Sequence, residues 1–489
     1  MANTLPDVTA QLHSRYNPQA EAARYIEALN LDSSIKCFLL IEPGLGYLIP
    51  VLQRRYSGSK IIVLHAAEGF PACEDMSVLV PTWQPGGALS VQEFLEREIP
   101  DIDAARIRII EWRPSQLVFG EEYVKLLSLA VECIKRTDAG YRTMSAFGRK
   151  WVKNFFRNLG FLRQAVLYRV MDVPVIVVGA GPGLETALPN IRQMRDSAFI
   201  LAASSAVLAL GHGGVIPDMV ISTDGGCWAL SHMYQCFRTT GLCGRTGAFR
   251  LAASLGAALP SQSGDMPLLI LNDGSLWQNI VLKELGLPSV IIPQRGTVTA
   301  SALELALILS TGGIFLAGMD LALRDIRIHA RPYGFDHLFF GLSSRLLPVY
   351  SQSFIRSGCI QKGGSHDIYA AWFKNQLTLW PKRIFSLGGN HAVFENSLSP
   401  PQDRQRRKSN DDHFKVLPVG GGPAGDEVRP RLCEKGMDAL IRALDDSRFA
   451  GNLNAELAPM LFPGEAEVAN EKLKEAIADI AGRYGAPHG

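Results

Sequence analysis

Val175-Ile176-Val177-Val178-Gly179-Ala180-Gly181-Pro182-Gly183-Leu184-Glu185 is the run whose reading decides the fold. Four β-branched residues meet closely spaced glycines and then a helical segment, which predicts strand, tight turn and helix. Such a turn brings backbone N–H groups and a helix N-terminus against an anion, so its chemistry fits phosphate. It does not match the dinucleotide fingerprint, because the sixth position is Leu184 and Pro182 removes one donor. A strand-to-helix turn with no ligand is the alternative.

Working outward, short apolar runs recur at 198–203, 219–223, 248–253, 267–271, 289–292 and 314–318, with helical segments at 204–210, 276–285 and 298–309. Alternation of this kind predicts right-handed βαβ crossovers and a central Rossmann-like, doubly wound α/β domain over 174–399. Ligands of such sheets bind beyond the carboxyl ends of the strands, where Gly179, Asp224 and Asp320 fall.

Upstream, 1–115 reads as a smaller N-terminal Rossmann-like α/β unit with apolar runs at 37–41, 60–65 and 107–112, followed by a helical connector over 116–173. Its Glu42-Pro43-Gly44-Leu45-Gly46-Tyr47, with Glu68 after the next run, could serve S-adenosylmethionine, but a structural turn is the preferred reading. Polar 400–430 reads as a linker or long loop, and 431–489 as a C-terminal helical region.

The 489-residue chain has a formal net charge of +2, which advertises neither nucleic acid nor a membrane surface. Its eight cysteines show no two-residue spacing of the zinc type, so free thiols and no metal site are expected. The apolar runs fall far short of the roughly 20 residues of a membrane span. The N-terminus shows no secretory pattern, so a cytoplasmic location is expected.

Several further residues can carry chemistry. Ser204 and Ser205 follow a strand and can either bind a ligand or cap a helix. Asp224-Gly225-Gly226 can hold a ribose hydroxyl, a base or a metal, or form an ordinary Asp-Gly turn. Arg295 can neutralise phosphate or carboxylate, and Thr297 can donate to a ligand or cap the next helix. Asp320 ends a strand, and His329 suits acid or base work or phosphate contact, although a lone histidine is more often a surface residue.

Taken in order, Gly179-Ala180-Gly181-Pro182-Gly183-Leu184, Ile216-Pro217-Asp218 with Thr223-Asp224, Gly296-Thr297-Val298, and Gly318-Met319-Asp320-Leu321-Ala322 with His329 resemble one known pattern. It is that of the motility accessory factor (Maf) flagellin glycosyltransferases. The same central domain resembles archaeal 6-hydroxymethyl-dihydropterin pyrophosphokinases and, in fold, bacterial sialyltransferases. The resemblance implies transfer of a nonulosonic acid of the pseudaminic or legionaminic type from a CMP-activated donor to Ser or Thr of flagellin, with no tightly bound cofactor. It places phosphate at Gly179, Gly181, Pro182 and Gly183, the nucleoside or sugar at Asp218 and Asp224, and the reacting centre near Asp320 and His329. The family usually has Ser where Gly183 stands. The alternatives are an ATP-dependent pterin pyrophosphokinase, with magnesium on Asp218, Asp224 or Asp320, and a non-catalytic flagellin-binding protein.

Overall fold

The computed structural model describes residues 12–68, 80–99, 101–239, 249–293, 296–321, 323–324, 326–363, 370, 373–374, 376, 380, 383–388, 413–419, 425–465 and 467–485. The chain divides into two compact units, 1–146 with 462–466, and 147–461 with 467–489.

In the first unit, strands β1 (Cys37–Ile41), β2 (Lys60–Leu64), β3 (Thr82–Trp83) and β4 (Ile107–Glu111) form a parallel sheet of order β3-β2-β1-β4. Helices α1 (Pro18–Ala28), α2 (Leu48–Arg55) and α3 (Val91–Glu98) accompany it, and Ser90 with Glu93 closes a capping box at the start of α3. The Glu42 turn is internally committed. Glu42 is buried, its Oε1 lies 3.0 Å from His65 Nδ1, and its Oε2 accepts the Ala66 N–H at 2.7 Å. One long helical segment, α4 (Arg113–Phe161), then carries the chain toward the second unit, with a break at Gly120, φ 48°.

The second unit is built on a sheet of order β13-β12-β6-β7-β8-β9-β10-β5-β14, with β11 also on β10. Its strands are β5 (Gln164–Tyr168), β6 (Val175–Val178), β7 (Phe199–Ala203), β8 (Met219–Ser222), β9 (Arg250–Ser254), β10 (Leu268–Asn272), β11 (Ser289–Ile291), β12 (Ile314–Ala317), β13 (Ile384–Ser386) and β14 (Phe414–Pro418). The pairings from β13 through β10 are parallel, and β14 lies antiparallel on β5. β6, β7 and β8 are buried throughout, as strands covered on both faces must be.

From β6 the chain steps outward through β7, β8, β9 and β10, then returns to lay β12 on the other side of β6. The order reverses there, so a crevice opens between the carboxyl ends of β6 and β12. The helices of this unit are α5 (Leu184–Met194), α6 (Val207–His212), α7 (Cys227–Thr239), α8 (Leu276–Glu284), α9 (Val298–Leu309), α10 (Asp336–Gly341), α11 (Val349–Gly363), α12 (Gly425–Asp445), α13 (Ala450–Leu461) and α14 (Asn470–Gly485). Helices α12, α13 and α14 pack together, and α12 and α13 pack on α8, whose first N–H groups, at Leu276 and Trp277, donate to the Glu456 carboxylate at 2.9 and 3.1 Å.

Two expectations shift. The connector predicted over 116–173 contains β5, and the linker predicted over 400–430 contains β14, because an antiparallel edge pair keeps one face in solvent and so lacks a continuous apolar signature. Among the described residues, no helix is long and apolar enough to cross a membrane, and Cys37, Cys133, Cys227 and Cys433 are free thiols.

Two buried asparagines on α4 fix the loops after β8 and β9. Asn154 Nδ2 donates to the carbonyls of Gly225 and Gly256 at 3.3 and 3.0 Å, and Asn158 Nδ2 to those of Leu255 and Ala257 at 2.7 and 2.8 Å. Asn158→Leu leaves two buried carbonyls unpaired, so urea denaturation should show a loss of about 2–4 kcal/mol. An unchanged midpoint would remove these bonds from the account.

Candidate functional site

The crevice between β6 and β12 is filled by the protein itself. Gly179 N–H donates to Ala317 O and Gly181 N–H to Gly318 O, both at 2.8 Å, while Leu184 and Glu185 donate to Gly181 O and Pro182 O. Asp320 turns back onto the loop, and its Oδ2 accepts the Gly183 N–H at 2.8 Å. A carboxylate at the start of α5 is also favoured by the helix dipole. The turn that aims it is tight, with Gly318 at φ 63° and Leu321 at φ 49°.

The glycines follow from this contact. A Cβ at 181 or 183 would overlap the Asp320 carboxylate, and one at 179 would lie 2.5 Å from Gly318 O. Gly183 has φ −63°, open to any residue, so the demand there is steric and not conformational. Gly183→Ser should therefore displace Asp320 and cost about 1–3 kcal/mol in urea denaturation. Adding Asp320→Ala should make the two losses non-additive; strict additivity would contradict the contact.

A cavity of about 490 Å³ lies beside this crevice, beyond the carboxyl ends of β7 and β8. Its floor is Ser204, Ser205, Ser222 and Asp224, one wall is Trp228 and His232 of α7, and the other is formed by Arg327 to Phe339 with Ser353 and Arg356 of α11. The covering segment is strapped to α5 through Glu185, which accepts from Arg327 Nη1 at 2.8 Å and from the Arg331 N–H at 3.0 Å. Ala330 N–H also donates to Ala180 O at 2.8 Å.

The structure thus brings Ser204, Ser205, Asp224 and His329 together and leaves the other described candidates outside the cavity lining. Ser204 and Ser205 lie in a short 3-10 turn in which neither hydroxyl caps a helix. Asp224 is exposed and forms an Asx turn, with Oδ1 accepting the Gly226 N–H at 2.7 Å. Gly225 is a packing glycine, since a Cβ there would lie 2.5 Å from Trp151 Cδ1. Asp218 sits at the opposite end of β8, 5% exposed, in a fork with Arg195 Nη1 and Nη2, each bond 3.1 Å. Thr297 caps α9, accepting from Thr299 N–H at 3.1 Å and Ala300 N–H at 3.4 Å. Arg295 lies outside the described residues.

Sequence reasoning missed His232, Tyr333 and Arg356. The His329 ring stacks on Tyr333 at 4.0 Å, and Tyr333 Oη lies 3.4 Å from His232 Nε2. Phe335 meets His232 edge-on at 4.7 Å and Trp228 at 4.8 Å. The only early signal was the Trp228/His232 spacing of four on one helix, which core residues share.

Burial holds the His232 imidazolium well below its usual 6.5, at about 4, against the opposing pull of Asp224. Folding therefore favours the neutral ring, and the sign is set. Stability is unaffected above about 6.5 and is lost as pH falls from there toward 4, where only the unfolded chain binds the proton. In urea titrations across that window, His232→Phe should flatten the decline; an unaltered slope would mean that another group is responsible.

Known proteins match this chain in three ways. The family model described as "6-hydroxymethylpterin diphosphokinase MptE-like" matches residues 153–325. An uncharacterized protein of Treponema pallidum is 30% identical over 312 residues, 63% of this chain and 66% of that protein. The 6-hydroxymethyl-7,8-dihydropterin pyrophosphokinase of Methanothermobacter thermautotrophicus is 30% identical over 167 residues, 33% of this chain and 65% of that enzyme. The chain thus spans about two thirds of the length of these relatives. A solved structure of a Maf glycosyltransferase from Magnetospirillum magneticum AMB-1 superposes with a TM-score of 0.52 at 14% identity, covering 97% of this chain and 79% of that one. Residues 153–325 accordingly match the MptE-like family model, in a chain similar in fold to a Maf glycosyltransferase.

Proposed function

We propose that this protein is a glycosyltransferase that moves an acidic sugar of the nonulosonic type from a CMP donor to Ser or Thr hydroxyls of flagellin. The observation that carries the reading is the cavity beyond β7 and β8, where aromatic faces, two acids and three arginines converge in a chain with a Maf-like fold. Aromatic faces suit a flat base, and cations suit the phosphate of a departing nucleotide.

In this reading the acceptor hydroxyl oxygen forms the new bond at the anomeric carbon while the bond from that carbon to the CMP phosphate oxygen breaks. The bonding pair leaves with CMP, and the hydroxyl proton passes to His329, which Tyr333 orients by stacking. Arg331 offsets the growing charge on the phosphate. Ser204 and Asp224 hold donor hydroxyls. Gly179 to Gly183 with Asp320 act at one remove, by fixing the end of β6 and the strap over the cavity. No tightly bound cofactor is required.

A thermal-shift series with CMP, CTP, ATP and S-adenosylmethionine tests the donor. CMP at about 100 times its Kd should add roughly 2.7 kcal/mol of apparent stability, while S-adenosylmethionine adds none. His329→Ala should keep CMP binding and lower transfer by about 10²–10⁴-fold. Flagellin from cells lacking the gene should lose the mass of the sugar. Unchanged flagellin mass would sink the reading, and flagellin binding without nucleotide affinity would mark a non-catalytic member.

The pyrophosphokinase relative motivates a second reading, diphosphate transfer from ATP to a pterin, marked by magnesium-dependent AMP release. Magnesium would there require Asp218, Asp224 or Asp320, and the structure keeps these apart. Asp218 and Asp224 flank opposite ends of β8, and Asp320 is bound to the glycine loop.

A further inference from the structure

The cavity contains buried donors that no described residue satisfies. Among the described residues, Arg356 Nε and Nη1 are inaccessible to solvent and have no hydrogen-bond partner. The guanidinium lies over the Phe339 ring, 3.3 Å from its centroid, and its one recorded bond is from Nη2 to Ser353 Oγ at 3.4 Å. On the floor of the same cavity, Ser222 is 1% exposed and its hydroxyl is equally unpartnered.

Unpaired buried donors of this kind cost about 1–3 kcal/mol each, and more when charged. Folding tolerates such a cost where a ligand relieves it. Burial depresses the Arg356 pKa, with Asp336 and Tyr333 opposing and Arg331 adding to the depression. Asp336 does not offset it freely, since its Oδ2 already accepts the Tyr333 N–H at 2.9 Å. The stacking on Phe339 fixes the guanidinium plane without using its N–H groups.

We infer that Arg356, supported by the Ser222 hydroxyl, is the residue that recognises an oxyanion of the bound ligand and so sets the cavity's preference for acidic substrates. The oxyanion is either the carboxylate of the transferred sugar or the nucleotide phosphate. The inference rests on the cavity being the donor site proposed above, but it concerns anion recognition and stands or falls separately from the cytidine assignment. It also separates two kinds of residue. Arg327 is already paired with Glu185 and serves to hold the strap, whereas Arg356 is poised for an incoming anion.

The test measures Kd by calorimetry for wild type, Arg356→Met, Arg356→Lys and Ser222→Ala with four probes: CMP, CMP-N-acetylneuraminate, free N-acetylneuraminate and inorganic pyrophosphate. Arg356→Met should weaken at least one anionic probe by 10- to 100-fold, Arg356→Lys should recover part of that, and Ser222→Ala should weaken it less. A loss confined to the two carboxylate-bearing sugars assigns the sugar carboxylate, and an equal loss with CMP assigns the phosphate.

Wild-type binding of pyrophosphate or the free acid without cytidine nucleotides overturns the donor reading and leaves this inference intact. No wild-type binding of any probe, or Kd values within twofold across the variants, overturns the inference. The unliganded Tm supplies a readout that a merely structural arginine would move the other way. Arg356→Met should melt at or above the wild-type temperature, because it removes buried N–H groups that no described residue satisfies. A clear fall in Tm would assign Arg356 to stability instead.

Discussion

One hydrogen bond, from the Gly183 N–H to the Asp320 carboxylate, organises the site end of the second unit. The topology of a doubly wound sheet leaves a crevice where its strand order reverses, between β6 and β12, and a helix N-terminus points into it. Left open, that place would attract an anion. Here the chain supplies its own. Asp320 occupies the crevice so closely that a side chain at 181 or 183 would have to displace its carboxylate.

The rest of the site follows from that closure. With β6 and β12 locked together, the segment after β12 crosses the loop and is tied down by Ala180 and Glu185 before it reaches α10. It thereby roofs the ends of β7 and β8 and encloses a cavity there. The glycine loop accordingly acts as a hinge plate for the roof. In the proposed reading its role in ligand binding is indirect, and the ligand-facing chemistry falls to Asp224, His329 and Arg356. Asn154 and Asn158 perform the matching task from below, by fixing the loops on which Asp224 sits.

Much of this was legible in the sequence, and the reasons differ by element. Strands β6, β7, β8, β10 and β12 were readable because each is a short apolar run buried throughout, with turn-formers at its end. β5 and β14 were not. They pair antiparallel at the sheet edge with Leu167 and Val416 in solvent, so their patterns merge with a preceding helix and a polar loop. Asp224, Ser204 and His329 could be nominated because they follow strands. The reach of Asp320 back across more than a hundred residues to Gly183 is a tertiary fact that no local pattern encodes. Arg356 and His232 lie on helices where their spacing is that of ordinary packing, and only the inventory of unsatisfied buried atoms sets Arg356 apart.

The central claim is that ligand binds in the roofed cavity and not on the glycine loop. A crystal structure of the protein soaked with CMP tests it most directly. The account predicts density between the aromatic wall and Arg356, with Asp320 still bonded to the Gly183 N–H. Phosphate seated on the N–H groups of residues 181–183, with the Asp320 carboxylate swung away, would contradict it.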